Sequence, residues 1–102
     1  MDSAFVQHKA ELEQLCRDFH VRRLELFGSA ATSKPSRAQS DLDFLIEFAP
    51  VPRGAYADAY FGLREALERL FDRPVDLVVA SAIKNPYFRR AIDQTKVLLY
   101  AA

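Results

Sequence analysis

Residues 28–48 read GSAATSKPSRAQSDLDFLIEF: a Gly-Ser pair, a loop of small and polar residues, then Ser40-Asp41-Leu42-Asp43 leading into an apolar run. From Leu42 onward every second residue is apolar (Leu42, Phe44, Ile46, Phe48), the period of a strand with one buried face. Asp41, Asp43, Leu45 and Glu47 then share the opposite face. By that alternation the two aspartates project together, roughly 6.5–7 Å apart. At an effective dielectric near 20 their repulsion is about 2.4 kcal/mol. Carboxylates at the mouth of a buried strand call for a counter-charge. A hard divalent cation, Mg²⁺ or Mn²⁺, is the natural one, because such ions prefer carboxylate and phosphate oxygens.

The flanking sequence supplies the rest of a fold. Val21 to Phe27 alternates in its second half, so Leu24 and Leu26 share a face of a strand that Gly28 ends. Ser29 is placed to cap a short helix beginning at Ser29-Ala30-Ala31, and Thr32 to Ser40, with Pro35 and several serines, reads as a loop. Before the first strand, Phe5, Leu12, Leu15, Cys16 and Phe19 mark an amphipathic helix from about Ser3 to His20, with Asp2 or Ser3 as N-cap. After Phe48, Pro50, Pro52 and Gly54 break the chain. Ala55 to Phe71 is then a long amphipathic helix, with Tyr56, Tyr60, Leu63, Leu67 and Leu70 as its apolar positions. Val75 to Val79 reads as a third strand. Asn85-Pro86 opens a helix to about Gln94, on which Tyr87 and Phe88 are expected to dock against the sheet. Val97 to Tyr100 closes as a strand. The order α-β-(short α)-β-α-β-α-β predicts an α/β (α+β) sandwich, a mixed sheet of about four strands with helices largely on one side.

Bulk properties narrow the function. At 102 residues the chain reads as a single domain over residues 1–102, with a radius of gyration of roughly 13 Å. Fourteen basic residues balance fourteen acidic ones. No global charge drives it toward nucleic acid or an anionic membrane. One cysteine, Cys16, rules out an internal disulfide framework and suits a reducing, cytoplasmic setting. It sits on the apolar stripe of the first helix and reads as core. His8 and His20 lack metal-ligand spacing. Arg89-Arg90 reads as a solvated helix face. An exposed apolar face on the first or last helix would serve a partner or a second copy.

Chemistry gathers around the aspartates. Asp76, near the start of the third strand and flanked by apolar residues, is a third acid. If strands two and three are neighbours, Asp41, Asp43 and Asp76 meet on one side of the sheet. Three acids around one or two metals clamp the attacking and leaving oxygens of a phosphoryl-type displacement. Gly28 lets the backbone approach a phosphate. The N–H groups of the turn that follows, with the Ser29 hydroxyl, make an anion site.

Gly28-Ser29-Ala30-Ala31, a loop, Ser40-Asp41-Leu42-Asp43 and a later strand aspartate together resemble the nucleotidyltransferase superfamily related to DNA polymerase beta. The short length and the closing Asn85-Pro86-Tyr87-Phe88-Arg89-Arg90 and Thr95-Lys96-Val97-Leu98-Leu99-Tyr100 are similar to its minimal nucleotidyltransferase (MNT) subfamily, whose members act as antitoxins paired with HEPN-domain toxins. The resemblance implies metal-dependent transfer of AMP from ATP to a hydroxyl, a tyrosine, of a partner HEPN toxin encoded by a neighbouring gene. It also implies roles. Gly28 and Ser29, with Ser40, bind the nucleotide; Asp41, Asp43 and Asp76 hold Mg²⁺ or Mn²⁺, and Asp76 helps deprotonate the acceptor. Many members continue the first motif with Arg-Gly where this chain has Thr32-Ser33, which leaves Lys34 and Arg37 as the loop cations available to phosphate. The alternative is an antitoxin with a relic site that neutralises its toxin by binding alone.

Overall fold

In chain order the elements are α1 (Ser3–Gln7), α2 (Lys9–Asp18), β1 (Val21–Phe27), a 3-10 turn at Ser29–Ala31, β2 (Leu42–Phe48), α3 (Ala55–Phe71), β3 (Val75–Val79), a second 3-10 turn at Ala80–Ala82, α4 (Pro86–Thr95) and β4 (Val97–Ala101). The computed structural model describes residues 3–32 and 41–102. The strands form one sheet in the order β3-β2-β1-β4. β1 runs antiparallel to both β2 and β4, while β2 and β3 are parallel. A parallel pair needs a crossover, and α3 supplies it.

Strand alternation divides the core between the two faces of the sheet. On one face Leu42, Phe44 and Ile46 of β2 join Leu24, Leu26, Val75 and Leu77 against Phe5, Leu12, Cys16, Leu63 and Leu67 of the first three helices. On the other, Phe27 and Leu45 pack on Ile92 of α4. Three helices thus cover one face and α4 alone lies on the second, the one that carries Asp43. The radius of gyration is 13.1 Å.

The single first helix expected from periodicity is two. His8, at φ −106° and ψ 20°, leaves the helical basin, although the bonds His8 N–H to Ala4 O and Leu12 N–H to His8 O carry on across it. The His8 ring bonds the Glu11 carboxylate at 3.0 Å and meets the edge of Phe71. α2 stops at Asp18 rather than His20, because His20 takes a positive φ of 61°. The alternation predicts a strand from Asp41 to Phe48, whereas β2 is Leu42–Phe48, so Asp41 stands just outside it. At α4 the Asn85 side chain accepts from the Tyr87 and Phe88 N–H groups, with Pro86 at the first helical position. Only one of the two neighbouring aromatics docks as expected. Phe88 meets the Phe27 ring edge-on at 6.3 Å, whereas Tyr87 is 78% exposed.

Candidate active site

The antiparallel turn of the chain between β1 and β2 brings the end of one strand to the start of the other. Phe27, the last residue of β1, pairs with Asp43. On its other side Asp43 pairs with Asp76, near the start of β3. Strands two and three are therefore neighbours. In-register parallel residues project to the same face, about 4.8 Å apart along the hydrogen-bonding direction. Asp76 and Asp41 are exposed and Asp43 is half-buried. Burial, then the charge of Asp76, then that of Asp41, push the Asp43 carboxyl above the ordinary aspartate value. Asp43 and Asp76 are thus brought together in register, and Asp41, just before β2, reaches Asp43 through its charge.

The start of β3 is held from both sides of Asp76. Glu68 of α3 accepts the Val75 N–H at 3.0 Å, and the Tyr60 hydroxyl donates to the Leu77 carbonyl at 2.8 Å. Leu42 N–H donates to Pro74 O at 2.9 Å, tying the entry of β2, beside Asp41, to the entry of β3. Sequence reading takes Tyr60 as packing only and does not single out Glu68. Their partners lie in another element, so nothing local marks them.

Gly28 meets the same carboxylate from the other strand. Its φ is 75° and ψ −156°, a region where only glycine is comfortable. A Cβ there would lie 2.6 Å from Asp43 Oδ2. Any side chain at position 28 would have to displace the carboxylate. The Gly28 N–H donates to Thr95 Oγ1 at 3.1 Å, and its carbonyl accepts from Ala31 N–H at 3.1 Å.

The helix expected after Gly28 is a single 3-10 turn, and Ser29 is not its cap. Gly28 occupies the N-cap position without any side-chain cap bond, and Ser29 is the first residue of the turn. Three residues are too few for an α-helical turn to close with its own bonds. Thr32 bonds back to Ser29 O, through its hydroxyl at 2.9 Å and its N–H at 3.3 Å. The Ser29 and Ala30 N–H groups precede the first internal bond of the turn, Ala31 N–H to Gly28 O, the position of the orphan donors at a helix start. Ser29 is exposed. Ser40, Lys34 and Arg37 lie outside the described residues.

Farther along the same face, a cavity of about 260 Å³ is lined by Arg23, Glu25, Leu45, Glu47, Arg89 and Lys96, among others. Glu25 is buried and bonds Arg23 Nε at 3.2 Å and Lys96 Nζ at 3.7 Å. Asp93 takes Lys96 at 3.0 Å and Arg89 at 3.4 Å. Lys96, the C-cap of α4, thereby ties that helix to β1, while the Arg23–Glu25 pair lies within β1 and the Arg89–Asp93 pair within α4.

Among the described residues, no three His, Cys, Asp or Glu side chains converge closely enough to enclose a metal by themselves. An open donor set of this kind still suits Mg²⁺, which is commonly bound by one or two carboxylates with substrate phosphates and water completing its shell. Among the described residues, no helix is long and apolar enough to cross a membrane.

Comparison with known proteins agrees with this geometry. A protein of Methanocaldococcus jannaschii, provisionally named a protein adenylyltransferase, is 34% identical over 88 residues, covering 86% of this chain and 83% of its own length. A solved structure provisionally named a minimal nucleotidyltransferase superposes with a TM-score of 0.73 at 28% identity, over 95% of both chains. The structure of a tri-AMPylated Shewanella oneidensis HEPN toxin in complex with its MNT antitoxin shares the fold, with a TM-score of 0.65 at 19% identity over 96% of this chain and 73% of that one. The sequence model of the family described as "Nucleotidyltransferase domain" matches residues 9–99. That match runs from the start of α2 into β4 and takes in β1, β2 and β3 whole, and the chain is a nucleotidyltransferase of that family.

Proposed function

We propose that this protein transfers AMP from ATP, in a metal-dependent reaction, to a tyrosine hydroxyl of a HEPN-type toxin, and that this makes it the antitoxin of that toxin in the cytoplasm. The observation that carries the reading is the registered pair Asp43 and Asp76, with Gly28 packed against the Asp43 carboxylate. The triphosphate would lie along the Gly28-Ser29 turn, whose leading N–H groups would meet phosphate oxygens, with Ser40, Lys34 and Arg37 as further contacts from the loop. Asp41, Asp43 and Asp76 would hold Mg²⁺ or Mn²⁺, which when bound offsets their repulsion and stabilises charge on the transferring phosphoryl group.

The chain's own residues divide the remaining work. Asp76, exposed as Asp41 is, would take the hydroxyl proton of the acceptor as general base. The acceptor oxygen forms a bond to the α-phosphorus as the bond between that phosphorus and the bridging oxygen to the β-phosphate breaks. Pyrophosphate departs with the electron pair. Asp43, half-buried and fixed between two strands, sets the position of the reacting group.

Support from relatives is of two kinds. The M. jannaschii protein is provisionally named for the same reaction. The HEPN toxin beside the structurally similar MNT antitoxin is itself AMPylated.

A second reading, neutralisation by binding alone, rests on Thr32, which stands where many relatives carry arginine and spends its hydroxyl on Ser29 O. One experiment separates the two. Incubate the protein with ATP labelled at the α-phosphate, Mg²⁺ and the HEPN product of a neighbouring gene. Label on that protein's tyrosine, lost with Asp43→Asn, is the expected result. A tight complex that takes up no label would overturn transfer in favour of binding alone.

A further inference from the structure

β1 and β4 pair through Glu25↔Leu98 and Leu26↔Val97. Continued by two residues, that register sets Gly28 opposite Thr95. The ladder stops first, because Thr95 is the last residue of α4 and its backbone follows the helix. Its side chain reaches across instead. Thr95 Oγ1 lies 3.1 Å from Gly28 N, a contact spanning 67 residues of sequence. The Gly28 N–H can only donate, so the hydroxyl oxygen accepts; its own proton is directed at Ile92 O, 3.5 Å away.

We propose that Thr95 is a positioning residue for the nucleotide, a role that rests on the reading of the Gly28-Ser29 turn given above. Gly28 has more backbone freedom than any other residue type, and it sits against the Asp43 carboxylate and directly before Ser29 and Ala30, the first residues of the turn. Two bonds restrain it: its carbonyl to Ala31 N–H within the turn, and its N–H to Thr95 outside it. Only the second fixes the turn relative to the sheet beyond the end of β1. Thr95 is partly buried and uncharged, so it contributes no attraction of its own to a triphosphate. It acts by direction.

The test compares Thr95→Val, which keeps the shape and removes the acceptor, with Thr95→Ser, which restores it. Two measurements are made: the dissociation constant for ATP with Mg²⁺ by calorimetry, and amide hydrogen exchange in protein free of both metal and nucleotide. For Thr95→Val, exchange at Gly28 is expected to speed up and the ATP dissociation constant to rise roughly tenfold, the scale of one neutral hydrogen bond. Amides in the middle of β1 and β2 should exchange as before, and Thr95→Ser should recover most of both changes. The proposal is overturned if Thr95→Val binds ATP as tightly as the parent, if serine does not rescue, or if exchange rises throughout the sheet, which would mark a general packing role. Absence of ATP binding by the parent protein would instead bring down the nucleotide-site reading, and this inference with it.

Discussion

Asp43 stands half-buried between Phe27 and Asp76, with Asp41 close by, and each of these raises the free energy of its ionised form. In the folded, metal-free protein its carboxyl therefore titrates above the ordinary 3.8. A raised carboxyl pKa favours folding while the group is protonated. That contribution is present at pH below the ordinary value and is lost as pH rises through the raised one. With a chelator present, the difference in Tm between Asp43→Asn and the parent should grow as pH climbs out of the acid range, reaching a few degrees in favour of the variant at neutral pH. Mg²⁺ and ATP should then stabilise the parent and leave the variant unmoved. A variant less stable than the parent at neutral pH would mean that the carboxylate is a structural cap. The three acids and Gly28 were legible in sequence because strand alternation and a strand-ending glycine are local patterns. Thr95 and Glu68 were not, since each acts on a residue in another element and no spacing records that.

At the scale of elements, α3 does more than cross from β2 to β3. Its Tyr60 and Glu68 grip the residues on either side of Asp76, so the helix sets where the third acid sits along the sheet. Tyr60→Phe keeps the ring and deletes the bond to Leu77 O. Denaturant unfolding should show a loss of about 0.5–1.5 kcal/mol, and an unchanged midpoint would mean that the hydroxyl contributes nothing. Element order and type followed from periodicity because each segment is strongly patterned. The boundaries that shifted did so for backbone reasons. His8 leaves the helical basin in mid-helix, and His20 turns left-handed before β1. The short helix expected after Gly28 stops at a single 3-10 turn because Thr32 takes an extended backbone, φ −91° and ψ 164°. Glu25 was equally hidden: one charged residue in an alternating strand looks solvent-facing until Arg23 and Lys96 are seen closing over it.

For the whole molecule, the sheet order puts the strand made first in the middle. β1 touches both β2 and β4 and carries the wall of the site at its end. A chain lacking residues 97–102 would keep β2, β3 and all three aspartates yet leave β1 as an edge strand. Such edges template association between chains. Size-exclusion chromatography of that truncated form should find aggregates, and a well-behaved monomer with normal ATP binding would show β4 to be dispensable. The fold class was readable from sequence because helices and strands alternate; that α4 covers the face bearing Asp43, apart from the other helices, was not. Amphipathicity reports that a helix has a buried side, not which side of the sheet receives it.

Among the described residues β4 pairs with no strand but β1, the first of the four to be synthesised. At about 5–20 residues per second, the ribosome needs several seconds to travel from Phe27 to Val97. Throughout that interval the central strand has an open flank in a crowded cell, and Gly28 has no Thr95 to meet. Folding of the sheet and readiness of the site are thus completed together, by the segment from Thr95 through β4. Translation speed over that part sets how long each new copy remains both idle and prone to associate.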